Sequence, residues 1–426
     1  MARPLQVAYR NLLFGCLACA PLWAQAQTLE SLIRDALDTH PSTQSQRSLV
    51  ASAAAGLESA RWQFFPTPSL LIENATASST DPLYQGDKQV ATLRLQQPLY
   101  TGGRLSAGAD KAQASLYQSK ATQDDTRQQL ALRVVQAYGD WLGAYLKTQA
   151  NEKSEQTHIR LRDQVQRRID EGVSADSDLV LALGRLDAIR ADVTAARTQR
   201  DMALARLGQL LGRPVAQSEL VPALAAPRDV APDVQAVLVQ AQDISPSVRR
   251  AQAQAQVQAA IMVERRADLS PDVYVRLERQ HGNFNLSNGT PENRLFLGMS
   301  TRLGAGLSTQ SNVAAANSQW EAALADVQVQ LLAVGEQVLA DHALAQSANV
   351  RLLAVQASLR SAQGVADSYD RQFLAGRKSW LDVMNAAREL AQTETLIADL
   401  LSTQVVVSWR LHFYTHGTEA VTHSRP

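Results

Sequence analysis

The chain repeats itself at a spacing of about 204 residues, and this duplication constrains its fold more than any other feature. Pro41 recurs as Pro246, an offset of 205, and Gly103 as Gly306, an offset of 203. Val134 and Val338, Gly172 and Gly376, Asp178 and Asp382, Ala182 and Ala386, Leu186 and Leu390, and Leu207 and Leu411 are all 204 apart. Solenoid repeats are far shorter, roughly 20 to 50 residues. The long period implies two equivalent modules that pack on each other or on further copies.

The start of the chain reads as an export signal, residues 1–26. Arg3 and Arg10 form a basic start, Leu12 to Ala24 is mostly apolar, and Ala24-Gln25-Ala26 is a small-x-small cleavage site. Both cysteines, Cys16 and Cys19, fall inside this segment, in poor surroundings for lipid attachment. The mature chain then has no cysteine and relies on no disulfide. The full chain carries 41 Lys+Arg against 41 Asp+Glu, and loss of the two signal arginines leaves −2. No concentrated basic patch suggests nucleic-acid binding. No apolar run beyond the signal reaches the ~18 residues of a spanning helix. Any membrane entry must therefore be by strands closed into a barrel.

Proline marks the layout. None occurs between Pro98 and Pro214, or between Pro291 and Pro426. These Ala/Gln/Leu/Arg-rich tracts are helix material. Val313, Trp320, Val327 and Val334 recur every seven residues, and Leu130, Val134, Ala137 and Trp141 step by 4, 3 and 4. That is coiled-coil spacing with narrow, alanine-rich seams. Arg104 to Glu171 predicts a rod of about 100 Å at 1.5 Å per residue. It turns at Gly172, with an N-cap Asp or Ser in Val173-Ser174-Ala175-Asp176, and returns to Leu211. A second rod, Leu307 to Ala375, turns at Gly376 and returns to Tyr414. Helices over Leu29 to Trp62 and Val234 to Arg266 precede the strand regions. The layout is signal 1–26, repeat 27–213, linker 214–232, repeat 233–417 and tail 418–426.

Strands are expected at about 69–77, 89–97, 272–280 and 294–302. Val273, Val275 and Leu277 alternate with Tyr274, Arg276 and Glu278; Leu295, Leu297 and Met299 alternate with Phe296, Gly298 and Ser300; Ala91, Leu93 and Leu95 alternate with Thr92, Arg94 and Gln96. Period two with one apolar face suits a transmembrane barrel with a wet lumen. It equally suits a half-buried strand of a soluble sheet. Four strands cannot close a barrel, for which about eight is the small limit. Spanning strands would need several copies to share one barrel.

An enzyme finds no site in this sequence. His412 and His416 have helical metal spacing but no accompanying Glu, and Gly102-Gly103 lacks the Lys-Ser/Thr of a phosphate loop. No metal and no cofactor are expected.

Two segments are the most specific: Leu95-Gln96-Gln97-Pro98-Leu99-Tyr100-Thr101-Gly102-Gly103 and Ala375-Gly376-Arg377-Lys378-Ser379-Trp380-Leu381-Asp382-Val383. With the duplication and the signal, they make the chain resemble the TolC-like outer-membrane efflux and secretion channel family over nearly all of Thr28 to Gly417. The resemblance implies a mainly helical fold in two tandem repeats. It implies a homotrimer whose twelve strands, four per chain, form one barrel in outer-membrane lipid above a periplasmic helical tunnel. It also implies a periplasmic adaptor and an inner-membrane ABC or proton-driven transporter as partners. Asp178 and Lys378 fall where the family links neighbouring subunits, and Phe373 where a Tyr hydroxyl joins that lock. Asp382 falls on a pore-constricting acid, and Asn385 on the next such position, uncharged here. Adaptors would dock at the tips, Gly172, Val173, Gly376 and Arg377. The plainer readings are helix-capping glycines, first-turn acids near a helix dipole and a solvated lysine. The second turn resembles members serving ABC-driven type I protein secretion. Proton-driven drug or metal efflux is the alternative, and a poreless periplasmic coiled coil the distant one.

Overall fold

The computed structural model describes residues 27–78, 81–223, 233–286, 291–301, 304–306 and 308–419. The expected signal segment, and with it Cys16 and Cys19, lies outside the described residues. So do 224–232 of the linker and 420–426 of the tail.

Both halves contain the same elements in the same order. The first runs α1 (Leu29–Thr39), α2 (Pro41–Trp62), β1 (Thr67–Asn74), β2 (Gln89–Tyr100), α3 (Arg104–Asp170) and α4 (Asp176–Leu211). The second runs α5 (Val234–Ile244), α6 (Pro246–Ala267), β3 (Asp272–His281), β4 (Glu292–Ser300), α7 (Ser308–Leu374) and α8 (Trp380–His416). The rods α3 and α7 are each 67 residues long. The fold is mainly helical with a small sheet, in two repeats, as the sequence implied.

The leading helix of each half, expected in one piece, is broken in two. Pro41 and Pro246 open the second piece. Proline has no N–H to continue the ladder and holds the preceding residue extended. His40 and Ser245 accordingly sit at ψ 134° and 120°. The strands are also shifted. β1 spans 67–74 rather than 69–77, β2 runs on through Pro98 to Tyr100, and β4 spans 292–300 rather than 294–302. The β2–β3 ladder slips register between Pro98 and Tyr100, where proline cannot donate.

The four strands form one antiparallel sheet in the order β1-β2-β3-β4. Directly paired residues share a face. Pro68, Leu95, Leu277 and Leu295 thus make one apolar row across the sheet, with Leu70–Leu93, Val275–Leu297 and Val273–Met299 beside it. This face is open: Leu295, Leu297 and Met299 are 73%, 75% and 72% exposed. The other face is charged. Glu278 accepts from Arg94 at 2.7 Å and lies 3.0 Å from Arg276, whose guanidinium sits 4.6 Å over the Phe296 ring. No helix among the described residues is long and apolar enough to cross a membrane.

The helices form a wall with a fixed lateral order. Next to the sheet it is α2-α3-α6-α7; beyond the middle it is α4-α3-α8-α7. α3 is central along its whole length and α7 is an edge along its whole length. The difference is large: α3 buries 21 residues and α7 only nine. Leu332, Val350 and Leu353 of α7 are 74%, 70% and 72% exposed. The two rods are equal in length but not in environment, and α7 leaves one edge of the protomer bare.

At mid-height α1 packs on α3 and α4, and α5 on α7 and α8. Leu32, Ile33, Leu37, Tyr138, Trp141, Leu207 and Phe413 form the main core here. The Tyr138 hydroxyl donates to the Val221 carbonyl at 2.6 Å and accepts the Ala223 N–H at 2.9 Å. This ties the chain after α4 to the rod. Burial pushes the Tyr138 pKa up.

Candidate functional site

The two hairpin turns close with the same backbone geometry. Gly172 and Gly376 adopt φ 74° and 71°, a left-handed conformation that costs a side-chain-bearing residue. The Gly172 N–H bonds the Ile169 carbonyl at 2.8 Å and the Val173 N–H bonds Arg168 at 2.7 Å. The Gly376 N–H bonds Phe373 at 2.9 Å and the Arg377 N–H bonds Gln372 at 2.8 Å. This pair of reverse bonds satisfies the last carbonyls of each rod. Gly172, Val173, Gly376 and Arg377 are all exposed.

The returning helices start differently. In α8 the Ser379 Oγ accepts the Asp382 N–H at 3.2 Å, and Asp382 Oδ2 accepts the Ser379 N–H at 3.3 Å and the Ser379 hydroxyl at 2.8 Å. This is a capping box. The Ser379 hydrogen bond, with help from Lys378, holds the Asp382 carboxyl below the usual carboxylate range. In α4 the cap is Ala175, not the expected Asp or Ser, and no side chain caps it. Ala175 takes the extended backbone, at ψ 150°, and its carbonyl accepts the Asp178 N–H at 3.0 Å.

Within one protomer the structure does not join Asp178 to Lys378. The Lys378 ammonium lies 3.8 Å from Asp382 and 4.3 Å from the Tyr369 ring centroid. Asp178 is half-buried and makes no ion pair among the described residues. Phe373 is 3% exposed and packs with Leu161, Val165, Ala182, Trp380, Val383 and Met384. Arg168 lies 4.8 Å over its ring and donates to its carbonyl at 3.2 Å. Phe373 therefore clamps both hairpins into one tip. The sequence reading missed Arg168 and Met384; the 161/165 and 380/383/384/387 spacings were the available signal.

Asn385 is exposed on α8 and lines a cleft against α3 and α4 together with His158, Arg185 and Arg388. His158 is 2% exposed and its Nδ1 lies 2.9 Å from the Ser154 carbonyl. Burial and then Arg185 push its pKa down against that hydrogen bond. Further along α3, side chains of α8 pack directly against Gly139 and Gly143. A Cβ at Gly139 would overlap Val406, and one at Gly143 would lie 3.2 Å from Ser402 Cβ.

No group of three or more His, Cys, Asp or Glu residues among the described residues is placed to hold a metal. His412 and His416 stack ring on ring at 4.8 Å.

The chain matches the family model described as outer membrane efflux protein over residues 32–213 and 237–414. No curated protein matches it. Three solved structures share its fold. The outer membrane protein VceC from Vibrio cholerae aligns with TM-score 0.79 at 16% identity, covering 92% of this chain and 96% of that one. The Campylobacter jejuni CmeC outer membrane channel aligns with TM-score 0.79 at 14% identity, covering 98% and 94%. The Neisseria gonorrhoeae MtrE outer membrane channel in its open state aligns with TM-score 0.72 at 16% identity, covering 92% and 89%. The open apolar sheet face, the long paired rods and a family match across both repeats lead to one assignment: the chain belongs to the outer membrane efflux protein family, as an outer-membrane channel with a periplasmic helical tunnel.

Proposed function

We propose that three copies close into one ring and act as the passive exit duct of a tripartite export system. The observation that carries this is the pair of bare edges on one protomer. One edge is β1, α2 and α4; the other is β4 and α7. Inside the protomer the two repeats already meet through β2–β3, α3–α6 and α3–α8. By the duplication, β4–β1, α7–α2 and α7–α4 are the same joints made between copies. Lipid tolerates no open sheet edge. Three copies of the four-stranded sheet supply 3 × 4 = 12 strands, enough for a barrel with an aqueous lumen, since about eight leave it filled by side chains.

The duct performs no chemistry. Its apolar sheet face meets outer-membrane lipid and its Arg94–Glu278–Arg276 face lines the lumen. The tips at Gly172, Val173, Gly376 and Arg377 receive a periplasmic adaptor, and an inner-membrane transporter supplies the energy. Asp178 and Lys378 of adjacent copies hold the tips together, with Phe373 as the packed base of each tip. Three Asp382 carboxylates form an acidic constriction that favours cations, and Asn385 makes an uncharged level beside it.

The cargo is assigned to ABC-driven type I protein secretion, on the likeness of the second turn to members that serve it. Proton-driven drug or metal efflux is the competing cargo class. In cells lacking the protein, a large secreted polypeptide retained inside supports the first. Raised drug or metal sensitivity with secretion intact supports the second.

The channel itself is tested by planar-bilayer conductance of the purified protein beside Asp382→Ala. A small cation-favouring conductance that loses its preference in the variant supports the constriction. Folded protein that neither inserts nor conducts refutes the duct.

A further inference from the structure

Arg185 is half-buried on α4 and makes no hydrogen bond or ion pair with the described residues. A guanidinium withdrawn from water without a counter-charge is costly. Arg388 of α8, exposed and likewise without an ion pair among the described residues, lines the same cleft of about 420 Å³. The cleft's lysine, Lys147, is already engaged by Asp399 at 2.6 Å. Its floor is His158 of α3. The Ser154 carbonyl, an acceptor only, lies 2.9 Å from His158 Nδ1. That nitrogen therefore carries the proton, and Nε2 is left as an acceptor. The apolar lining is Ile189, Met384 and Ala391.

The same positions in the other repeat carry none of this. Adding 204 to His158 and Arg185 gives Ala362 and Glu389, and subtracting 204 from Arg388 gives Gly184. The helix architecture is shared by both repeats, so the cations are not needed to build it. They occur once per protomer.

We propose that the α3–α4–α8 cleft binds a small organic carboxylate with an apolar body. The carboxylate bridges Arg185 and Arg388, and the body lies against Ile189, Met384 and Ala391. Paired N–H donors on facing arginines suit the two oxygens of a carboxylate. A ligand that bridges α4 and α8 also links the two hairpins, because each arginine belongs to a different one. The site requires no assumption about cargo or about conduction.

The test is calorimetric titration of 2-naphthoate into the full-length protein in lipid nanodiscs, with 2-naphthylmethanol as the neutral analogue. Saturable binding of one naphthoate per protomer is expected, at least tenfold weaker in each of Arg185→Gln and Arg388→Gln and lost in the double variant. Unchanged elution volume and thermal transition establish that the variants are folded. Equal binding of the alcohol, or unchanged naphthoate binding in the folded double variant, overturns the site. So does absence of naphthoate binding in the wild type. If that absence comes with subunit dissociation of the double variant, a carboxylate of a neighbouring copy fills the cleft instead.

Discussion

The Ser402 hydroxyl donates to the Gly139 carbonyl at 2.7 Å where α8 crosses α3. The bond is possible only because residue 139 has no side chain, so the Ser402 and Val406 side chains of α8 reach the α3 backbone. Gly139→Ala should destabilise the protein by about 1–3 kcal/mol through overpacking against Val406, outweighing the gain of up to about 1 kcal/mol in helix propensity. Gly143→Ala should cost less, because Ser402 Cβ stands 3.2 Å away and a small shift accommodates it. Denaturant midpoints of the two variants check the order.

The proposed ring makes the same crossing between copies. Adding 204 to Gly139 gives Ala343 on α7, and subtracting 204 from Ser402 gives Thr198 on α4; both are exposed in the protomer. If the ring repeats its internal joint, Thr198→Cys and Ala343→Cys in one chain should cross-link neighbours on oxidation. A ladder ending at the covalent trimer on a non-reducing gel is expected, and either cysteine alone should give no ladder. The only native cysteines, Cys16 and Cys19, fall in the expected signal, so the background is clean.

Asp178→Ala and Lys378→Ala should each raise the resting single-channel conductance if the pair bridges subunits. Phe373→Ala should do so as well, by a different route. It empties the shared tip core at a cost of about 3–5 kcal/mol and should lower thermal stability, whereas the two charge variants should not. Unchanged conductance in both charge variants disposes of the lock.

His158 should make stability depend on pH. The unfolded chain takes up its proton near the ordinary value of about 6.5, and the folded chain only at lower pH, because burial opposes the charge. Between those values the unfolded state holds more protons. The stabilisation is therefore complete above about 6.5 and falls as pH drops below it. The melting temperature should decline between pH 7 and pH 5, and decline less in His158→Gln.

The two faces of β4 should respond oppositely to charge. Leu297→Arg places a cation on the lipid side, at a cost of about 2–4 kcal/mol near the bilayer midplane. Phe296→Arg faces the charged side beside Arg276. Membrane insertion measured by heat-modifiable gel mobility should fail for the first and survive for the second.

Much of the fold was legible because duplication and periodicity are local properties. The 204-residue offset predicted paired rods of equal length, and α3 and α7 are both 67 residues long. The glycine turns were readable because only glycine takes φ near 70° without strain. What failed was detail set by backbone chemistry within a few residues. The breaks at Pro41 and Pro246 went unread, and so did the Ala175 cap, where backbone geometry displaced side-chain preference.

The sequence named its candidates mainly at the tips. Asp382 was chosen as a pore acid, and its contacts within the protomer are those of a capping box with Ser379. Phe373 was chosen as a lock residue and is the buried clamp under Arg168. Arg185 and Arg388 were not singled out, because 203 residues separate them in the chain and only packing on α3 sets them on facing walls.

The sequence by itself determined the repeat, the rod lengths and the alternating sheet faces, since each follows from residue type at fixed spacing. Tertiary structure alone decided which of two equivalent rods is central and which is bare. Lateral order depends on contacts between residues far apart in the chain, and two repeats of the same pattern cannot both lie inside. That asymmetry leaves α7 and β4 with an uncovered edge, and it is on this edge that the proposed ring rests.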